Sequence, residues 1–271
     1  MSIHAIVLAA GKGTRMRSDM AKVLHCIAGR PMILWCLDAI SSVDDVVVVI
    51  GHQAKAVAEV LPDHVRTVVQ RPQLGTGHAA EVGLGVIELL ENDHVIVTSG
   101  DMPLVTKVTI DGLLSAHIDA DATATILTAI VDDPSGYGRI LRNKEGDVEA
   151  IVEDRDATPD QRKIAEINTS VYVFRADKIA SALSKVHVDN SQGERYLTDV
   201  IALYARSGAK IVAMPSDASD AIGVNSAAEL QAADATLRSR ISSVADTECF
   251  GSGRVSGYAA RQQGRDNREP Q

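Results

Sequence analysis

Residues 5–22 constrain this chain more than any other stretch, because an apolar run ends there in a glycine-rich, cationic turn. The run Ala5–Ala10 is typical of a strand buried on both faces of a parallel sheet. Gly11 and Gly13 follow it, and glycine lets a backbone turn sharply and approach a ligand because it has no Cβ. Bare N–H groups beside cations favour phosphate, so a nucleoside triphosphate is the natural ligand. The cations are Lys12, Arg15, Arg17 and Lys22.

Two better-known phosphate-binding loops fit this turn badly. A P-loop requires G-x-x-x-x-G-K-[ST], and the Gly-Lys-Gly-Thr at residues 11–14 has the wrong spacing. A dinucleotide fingerprint requires a third glycine where this chain has Met16. An isolated G-x-G is more often a tight turn with solvated cations. Four cations within residues 12–22, on a chain of net charge −9, weigh against that simpler interpretation.

Composition narrows the class of protein. The chain has 271 residues, 45% of them apolar, which suits one large α/β domain or two small ones. We expect no membrane span, no signal peptide and no nucleic-acid partner. Three scattered cysteines argue against a disulfide framework or zinc site and favour the cytoplasm. Residues 1–30 have a net charge of +4, which would attract a small anion.

Short β-branched runs alternate with segments of helical period, which predicts βαβ units on a mostly parallel sheet covered by helices. Ligands bind beyond the carboxyl ends of such strands, so the loops after residues 9, 70 and 99 should converge. The predicted strands are 3–9, 45–50, 66–70, 94–99, 122–131, 148–152, 171–175 and 210–214. The predicted helices are 31–41, 53–61, 77–91, 106–117, 177–185, 195–206 and 226–244.

The pattern changes after residue 120. A turn cluster at 133–138 is followed by short apolar runs at 139–141 and 150–152, which predicts a small antiparallel insertion forming the far wall of the pocket. Near the C-terminus, residues 251–271 contain four glycines, four arginines and few apolar side chains. We expect that segment to be disordered.

Two further turns are candidate parts of the site. Gln70 and Gln73 precede Gly75-Thr76-Gly77, and paired amide groups suit the edge of a pyrimidine, although an N-cap with surface glutamines is about equally plausible. Ser99-Gly100-Asp101 follows an apolar strand, which makes Asp101 a candidate Mg²⁺ ligand. The simpler interpretation of Asp101 is an ordinary turn residue.

Polar residues at later strand edges suit a sugar and the second side of a metal ion. These are Glu153, Asn168 and Asn225. Other chemistries lack support, since the chain has no G-x-S-x-G motif and no histidine pair at metal-ligand spacing.

Together these segments resemble the sugar-1-phosphate nucleotidylyltransferases. The signature loop corresponds to Leu8-Ala-Ala-Gly-x-Gly-Thr-Arg-Met with Lys22. Further segments are similar, in the right order, to the N-terminal uridylyltransferase domain of the bacterial bifunctional N-acetylglucosamine-1-phosphate uridylyltransferase/glucosamine-1-phosphate acetyltransferases. They are Gln73-Leu-Gly-Thr-Gly-His-Ala, Ser99-Gly-Asp-Met-Pro-Leu, Asp133-Pro-Ser-Gly-Tyr-Gly-Arg-Ile, Ile151-Val-Glu, Glu166-Ile-Asn-Thr, Gln192-Gly-Glu-Arg-Tyr-Leu-Thr-Asp and Gly223-Val-Asn.

The resemblance implies a nucleotide-diphospho-sugar transferase fold, which is Rossmann-like, in residues 1–228. It implies Mg²⁺-dependent transfer of UMP from UTP to N-acetylglucosamine-1-phosphate. Arg15, Lys22 and Asp101 would be catalytic, with Asp101 and Asn225 on the metal. The implied nucleotide contacts are Leu8, Ala9, Ala10, Gly11, Lys22, Gln70, Gly75, Thr76, Ser99, Gly100 and Asp101. The implied sugar contacts are Gly138, Glu153, Asn168, Tyr196, Thr198 and Asn225.

The chain departs from this family at several positions. Ala21 stands where proline is usual, which predicts a less well placed Lys22 because proline fixes φ. Ser170 replaces a usual glycine, and Ser99 often corresponds to tyrosine. Residues 229–250 correspond to the linking helix, but no hexapeptide repeat follows, so we expect no left-handed β-helix, no acetyl transfer and no family-type trimer.

Three alternatives remain open from the sequence. The chain could transfer another nucleotide or use another sugar-1-phosphate. It could be a catalytically silent module that binds nucleotide sugars, or a dinucleotide-dependent oxidoreductase. Substrate preference, pyrophosphate release and NADH binding separate these alternatives.

Overall fold

The computed structural model describes residues 1–16, 18–220 and 222–251, with the backbone alone at residue 14 and residues 244–251. Strands and helices alternate in the first half of the chain, as the sequence predicts. The strands are β1 (Ile3–Ala9), β2 (Cys26–Ile27), β3 (Arg30–Pro31), β4 (Asp45–Ile50), β5 (Arg66–Val69), β6 (His94–Ser99), β7 (Ala124–Ile130), β8 (Gly138–Arg142), β9 (Val148–Val152), β10 (Glu166–Arg175) and β11 (Ile211–Pro215). The helices are α1 (Met32–Ala39), α2 (Ala54–Val60), α3 (Thr76–Leu84), α4 (Lys107–Asp119), α5 (Ala176–Leu183), α6 (Asp199–Arg206) and α7 (Ala227–Gly251).

The main sheet has nine strands and is mixed. Seven of them run in the order β11-β7-β10-β6-β1-β4-β5, and β8 and β9 branch from β10. Strand β1 is parallel to both β4 and β6, whereas β10 is antiparallel to β6 and β7. The chain leaves β1 toward β4 and returns on its other side at β6, and such a reversal opens a crevice at the carboxyl ends of the strands.

Apolar side chains on both faces of β1 explain why helices pack on both faces of the sheet. Ala5 and Val7 lie in one core cluster, which helices α1, α2, α4 and α7 complete. Ile6 points the opposite way into a second cluster with residues of α3, α5 and α6. All three side chains are fully buried, which is the burial expected of a parallel strand between two helical layers.

The predicted antiparallel insertion is confirmed. Strand β8 pairs with both β9 and β10 in antiparallel register. The pairing of β10 with β7 shifts register between Asn168 and Tyr172, so the strand bulges there. Ser170 lies within this irregularity at a φ of 61°.

Several predicted boundaries were wrong. The helix predicted over 77–91 ends at Leu84, where Gly83 and Gly85 weaken the helix and tight turns follow. The helix predicted over 195–206 starts only at Asp199, because residues 195–197 bond to the start of α3. The strand predicted over 171–175 begins earlier, at Glu166.

The C-terminal helix α7 runs from Ala227 to Gly251 and so continues beyond the predicted end at 244. The predicted disorder of residues 251–271 concerns a segment that, apart from Gly251, lies outside the described residues. None of the described helices combines the length and apolar composition that crossing a bilayer requires.

Gly83 sets how closely α3 packs on the sheet, and its substitution is a direct test of this packing. A Cβ there would lie 2.7 Å from Ile6 Cγ2, a branched and fully buried side chain. We expect Gly83→Ala to lower the free energy of unfolding by about 1–3 kcal/mol through overpacking, which exceeds the helix-propensity gain. Urea unfolding measures the change.

Gly112 provides the matched control within α4. It is exposed and has no neighbouring atom where a Cβ would stand. Gly112→Ala should therefore raise stability by up to about 1 kcal/mol. Changes of the same sign in both variants would contradict the packing described for α3.

Candidate active site

A cavity of about 560 Å³ opens where the loops after β1, β5 and β6 converge at the carboxyl edge of the parallel strands. The insertion and the start of α7 complete its wall. The sequence-predicted residues that line it are Leu8, Ala9, Ala10, Gly11, Arg15, Lys22, Gln70, Gly75, Thr76, Ser99, Asp101, Gly138, Glu153, Asn168 and Asn225.

Three predicted contact residues lie outside the lining of this cavity. The N–H of Gly100 donates to the Leu8 carbonyl at 2.9 Å and so ties two loops together. Tyr196 is buried, and its hydroxyl accepts from Gln192 Nε2 at 2.6 Å. The Thr198 hydroxyl donates to Glu153 Oε1 at 3.0 Å. Gly100 and Thr198 thereby bond to the lining residues Leu8 and Glu153.

The charged centre of the cavity is an ammonium between two oxygens. Lys22 Nζ contacts Asp101 Oδ2 and donates to Asn225 Oδ1 at 2.9 Å. Arg15 Nη2 donates to the same Asn225 oxygen at 2.8 Å. Residues from three distant parts of the chain therefore meet at one point.

The Lys22 ammonium changes the titration of Asp101. Burial by itself would raise the pKa of this carboxyl group, but the charge and hydrogen bond of Lys22 outweigh it, and the pKa is lowered. Asp101 is therefore a carboxylate at neutral pH although only 8% of its surface is exposed. A buried carboxylate of this kind needs a cation beside it.

The loop between β1 and β2 packs tightly against Lys22. Gly13 has a φ of 62°, and a Cβ there would lie 2.6 Å from Lys22 Cβ. Lys22 reaches Asp101 and Asn225 with Ala21 before it, and a less well placed Lys22 than with proline at this position stays a prediction. Ala21 has a φ of −55° and donates its N–H to Gln53 Oε1 at 2.9 Å, a bond that proline could not make.

Asn225 is positioned by the start of α7. Its N–H donates to Glu229 Oε2 at 2.8 Å, and the Ser226 hydroxyl donates to the same oxygen at 2.9 Å. The Glu229 N–H in turn donates to Ser226 Oγ at 3.3 Å. This S-x-x-E pattern is a variant of the capping box in which Glu229 accepts from the Asn225 N–H instead of the Ser226 N–H, so the helix terminus holds the Asn225 backbone.

One end of the cavity is lined by amide groups after β5. Gln70 is 3% exposed, and its Nε2 donates to the Gly75 carbonyl at 3.0 Å and approaches His78 Nδ1 at 3.1 Å. Both bonds involve Nε2, so the Oε1 atom of Gln70 has no hydrogen-bond partner among the described residues and is available to a ligand. Thr76 is not an N-cap, since its hydroxyl accepts from the Leu197 N–H at 3.0 Å.

The other end of the cavity contains a carboxyl group and an amide. Burial raises the pKa of Glu153, while the Thr198 hydrogen bond acts in the opposite direction. Asn168 Nδ2 donates to the Tyr172 hydroxyl at 2.7 Å, and its Oδ1 accepts from the Ser170 N–H at 3.1 Å. The orientation of the Asn168 side chain is therefore fixed.

The donor set at Asp101 and Asn225 fits a hard divalent cation. A carboxylate oxygen and an amide oxygen already converge on one positive charge, the Lys22 ammonium. Mg²⁺ prefers one or two such protein ligands and takes the rest from water and phosphate. No group of three or more His, Cys, Asp or Glu side chains suited to a metal occurs among the described residues.

Sequence reasoning missed several residues that line the cavity, including Tyr137, Ser170 and Glu194. Tyr137 lies in the turn cluster that the sequence did identify, so its place in the wall was within reach. Ser170 and Glu194 enter the wall through a strand bulge and a loop whose paths depend on tertiary contacts. The family resemblance touched both positions, Ser170 as a departure and Glu194 within the segment 192–199, but no local pattern marks either as a cavity residue.

Fold and site together define a nucleotidyltransferase. A MobA-like NTP transferase domain profile matches residues 5–142, half of the chain. The chain belongs to this family. The cation-lined loop and the strands β4 to β8 fall within the matched segment, whereas β9, β10 and β11 lie beyond it, as do Glu153, Asn168 and Asn225.

Curated relatives extend the likeness over most of the chain. It is 44% identical over 246 residues to the bifunctional protein GlmU of Lactococcus lactis subsp. lactis, covering 89% of this chain and 53% of that protein. It is 43% identical over 242 residues to the bifunctional protein GlmU of Brevibacillus brevis, covering 88% and 52%. The chain thus spans about half the length of these relatives, and the predicted resemblance is confirmed.

A solved structure supports the fold. A Bacillus anthracis protein assigned as a glucose-1-phosphate thymidylyltransferase, crystallised with sucrose, superposes with a TM-score of 0.71 over 88% of this chain and 96% of that chain. Its sequence identity is 19%, so the comparison concerns the fold alone. The predicted α/β nucleotidyltransferase fold is confirmed.

Thr198 tests the support of Glu153 directly. Because its hydroxyl bonds to the charged form of the carboxyl group, Thr198→Val should raise the pKa of Glu153 further. Thr198→Ser keeps a hydroxyl and should leave this pKa close to that of the wild type. Carbon-detected NMR titration of the Glu153 carboxyl group measures both, and an unchanged or lower pKa in Thr198→Val would show that the bond is not made.

Proposed function

We propose that the protein transfers UMP from UTP to N-acetylglucosamine-1-phosphate, giving UDP-N-acetylglucosamine and pyrophosphate. One observation carries the proposal: Lys22 and Arg15 converge with Asp101 and Asn225 between an amide-lined end and a carboxyl-lined end of one cavity. The family supplies the reaction class. The name of its GlmU relatives and the motifs given above support the particular substrates.

The proposed reaction needs charge neutralisation more than it needs a general base. The phosphate group of a sugar phosphate has a second pKa of about 6. At pH 7 a phosphate oxygen therefore already carries the charge required for attack. That oxygen forms a bond to the α-phosphorus of UTP while the bond to the β-phosphate oxygen breaks. Pyrophosphate leaves with the electron pair, in line with the incoming oxygen.

Cationic side chains supply the neutralisation that this path requires. The Lys22 ammonium and the Arg15 guanidinium bind phosphate oxygens as well as carboxylate and amide oxygens. Both can therefore exchange their present partners for phosphate oxygens. Donors placed where negative charge develops in the transition state stabilise that charge. They lower the barrier more than they strengthen substrate binding. We therefore assign transition-state stabilisation to these two residues.

Mg²⁺ is the proposed cofactor, held by Asp101 and Asn225. When bound it would supply charge neutralisation on the triphosphate. The arrangement of the two oxygens around one ammonium supports this assignment. With Asp101 engaged in holding Mg²⁺, Lys22 would be free to contact phosphate.

The two ends of the cavity fit the two substrates. Gln70 Oε1 can accept the N–H of a uracil ring, and the backbone of residues 8–11 can approach the nucleoside closely. At the other end Gly138, Glu153 and Asn168 offer groups suited to a hydroxyl-rich amino sugar.

Free thiols at Cys26 and Cys36 agree with the proposed cytoplasmic location.

A pyrophosphate-release assay tests the proposal. With UTP, N-acetylglucosamine-1-phosphate and Mg²⁺ the protein should release pyrophosphate, and EDTA should abolish the release. CTP or dTTP in place of UTP, and glucose-1-phosphate in place of the acetylated sugar, should react poorly. Preference for either substitute would redirect the substrate assignment, and absence of release would favour a silent binding module.

Lys22→Ala and Asp101→Ala test the charged centre. Each should lower kcat/KM by more than about a hundredfold, since a lost transition-state contact typically costs about 3–4 kcal/mol. Circular dichroism should show both variants folded. A loss below tenfold in either variant would refute the role of that residue.

A further inference from the structure

Gln53 stands at a position where its backbone conformation is costly. It follows β4, immediately before α2, and has a φ of 52° in the left-handed region. Glycine would adopt this conformation freely, whereas a residue with a Cβ is strained there. Such an outlier beside a functional site directs attention to what its side chain does.

Both ends of the Gln53 amide bond to the loop that carries Lys22. Its Oε1 accepts the Ala21 N–H at 2.9 Å, and its Nε2 donates to the Asp19 carbonyl oxygen. One side chain from the loop after β4 therefore bridges two backbone groups of the loop after β1. Of the two bonded residues, Ala21 immediately precedes Lys22.

Few other described contacts hold the exposed part of this loop, residues 18–20. Residues 18–20 are exposed, so apolar packing contributes little to their order. Ala21 is buried, and from it the chain enters the turn that sends the Lys22 ammonium to Asp101 and Asn225. The position of the ammonium thus depends on exposed residues 18–20, for which the structure gives hydrogen bonds, and on Ala21, which also packs in the core cluster.

We propose that Gln53 is a positioning residue of the active site, which clamps residues 19–21 and so presents Lys22 to the phosphates. This inference rests on the proposed function of the cavity and adds a residue that touches no substrate. The left-handed backbone aims the Gln53 side chain across the gap between the two loops. Its conformational strain is then a consequence of its role.

Kinetics of matched variants test the proposal. Gln53→Ala should lower kcat by about tenfold, because small displacements of a catalytic group are costly, while the KM for the sugar phosphate stays within about twofold. Gln53→Gly also removes the amide but relieves the strain, so it should lose the same activity while unfolding at a higher temperature than Gln53→Ala. Lys55→Ala, exposed on α2, should match the wild type.

Epistasis separates a positioning role from a general effect on folding. In a Lys22→Ala background, Gln53→Ala should cause no further loss of kcat, because its effect passes through Lys22. Ala21→Pro provides a rescue: the φ of −55° suits proline, which orders the loop without the N–H bond. In the Gln53→Ala background it should return kcat to within about threefold of the wild type.

Amide hydrogen exchange at Ala21, followed by NMR, reports on the clamp without turnover. Exchange should be at least about tenfold faster in Gln53→Ala than in the wild type. Unchanged exchange, or kcat within twofold of the wild type in both Gln53 variants, would overturn the clamp while leaving the proposed function intact. Absence of pyrophosphate release by the wild type would instead overturn the proposed function and the catalytic part of this inference with it.

Discussion

The Lys22 ammonium, seated between the Asp101 carboxylate and the Asn225 amide oxygen, is the contact on which the site depends. A carboxylate this deeply buried is costly unless a cation lies beside it, so the loop carrying Lys22 must close over the sheet. In the sequence, Asp101 lies 79 positions after Lys22 and Asn225 lies 203 positions after it. The contact holds the cavity in the arrangement that the proposed triphosphate and Mg²⁺ would enter.

The fold supplies this contact through the reversal of chain direction at β1. Because β4 and β6 flank β1 in parallel, their following loops open at one edge and face one another. The antiparallel β10 then brings Asn168 against the same edge, and the capping box of α7 delivers Asn225. Close packing at Gly83 keeps α3, and therefore Thr76, against the sheet. Each loop is thus aimed by a rigid element behind it.

Much of this arrangement follows from sequence pattern, and the rest does not. Buried parallel strands were predictable because apolar runs such as 45–50 leave few alternatives, and the convergence of Lys22 and Asp101 follows from strand polarity. The start of α6 at Asp199, in contrast, depends on the contacts of residues 195–197 with the distant segment before and at the start of α3. The same holds for Thr198, which supports Glu153 rather than contacting the cavity, and for Ser170 in the bulge of β10. Ala21 shows the limit most clearly, since its effect depends on Gln53, a residue 32 positions away.

A double-mutant cycle on stability tests the central contact most directly. The free energy of unfolding would be measured for the wild type, Lys22→Ala, Asp101→Ala and the double variant. If the ammonium and the carboxylate are partners, either single change leaves the other charge uncompensated, so the double variant should be more stable than additivity predicts by more than about 1 kcal/mol. Additive changes, within about 0.5 kcal/mol, would contradict the contact and with it the assembly of the site.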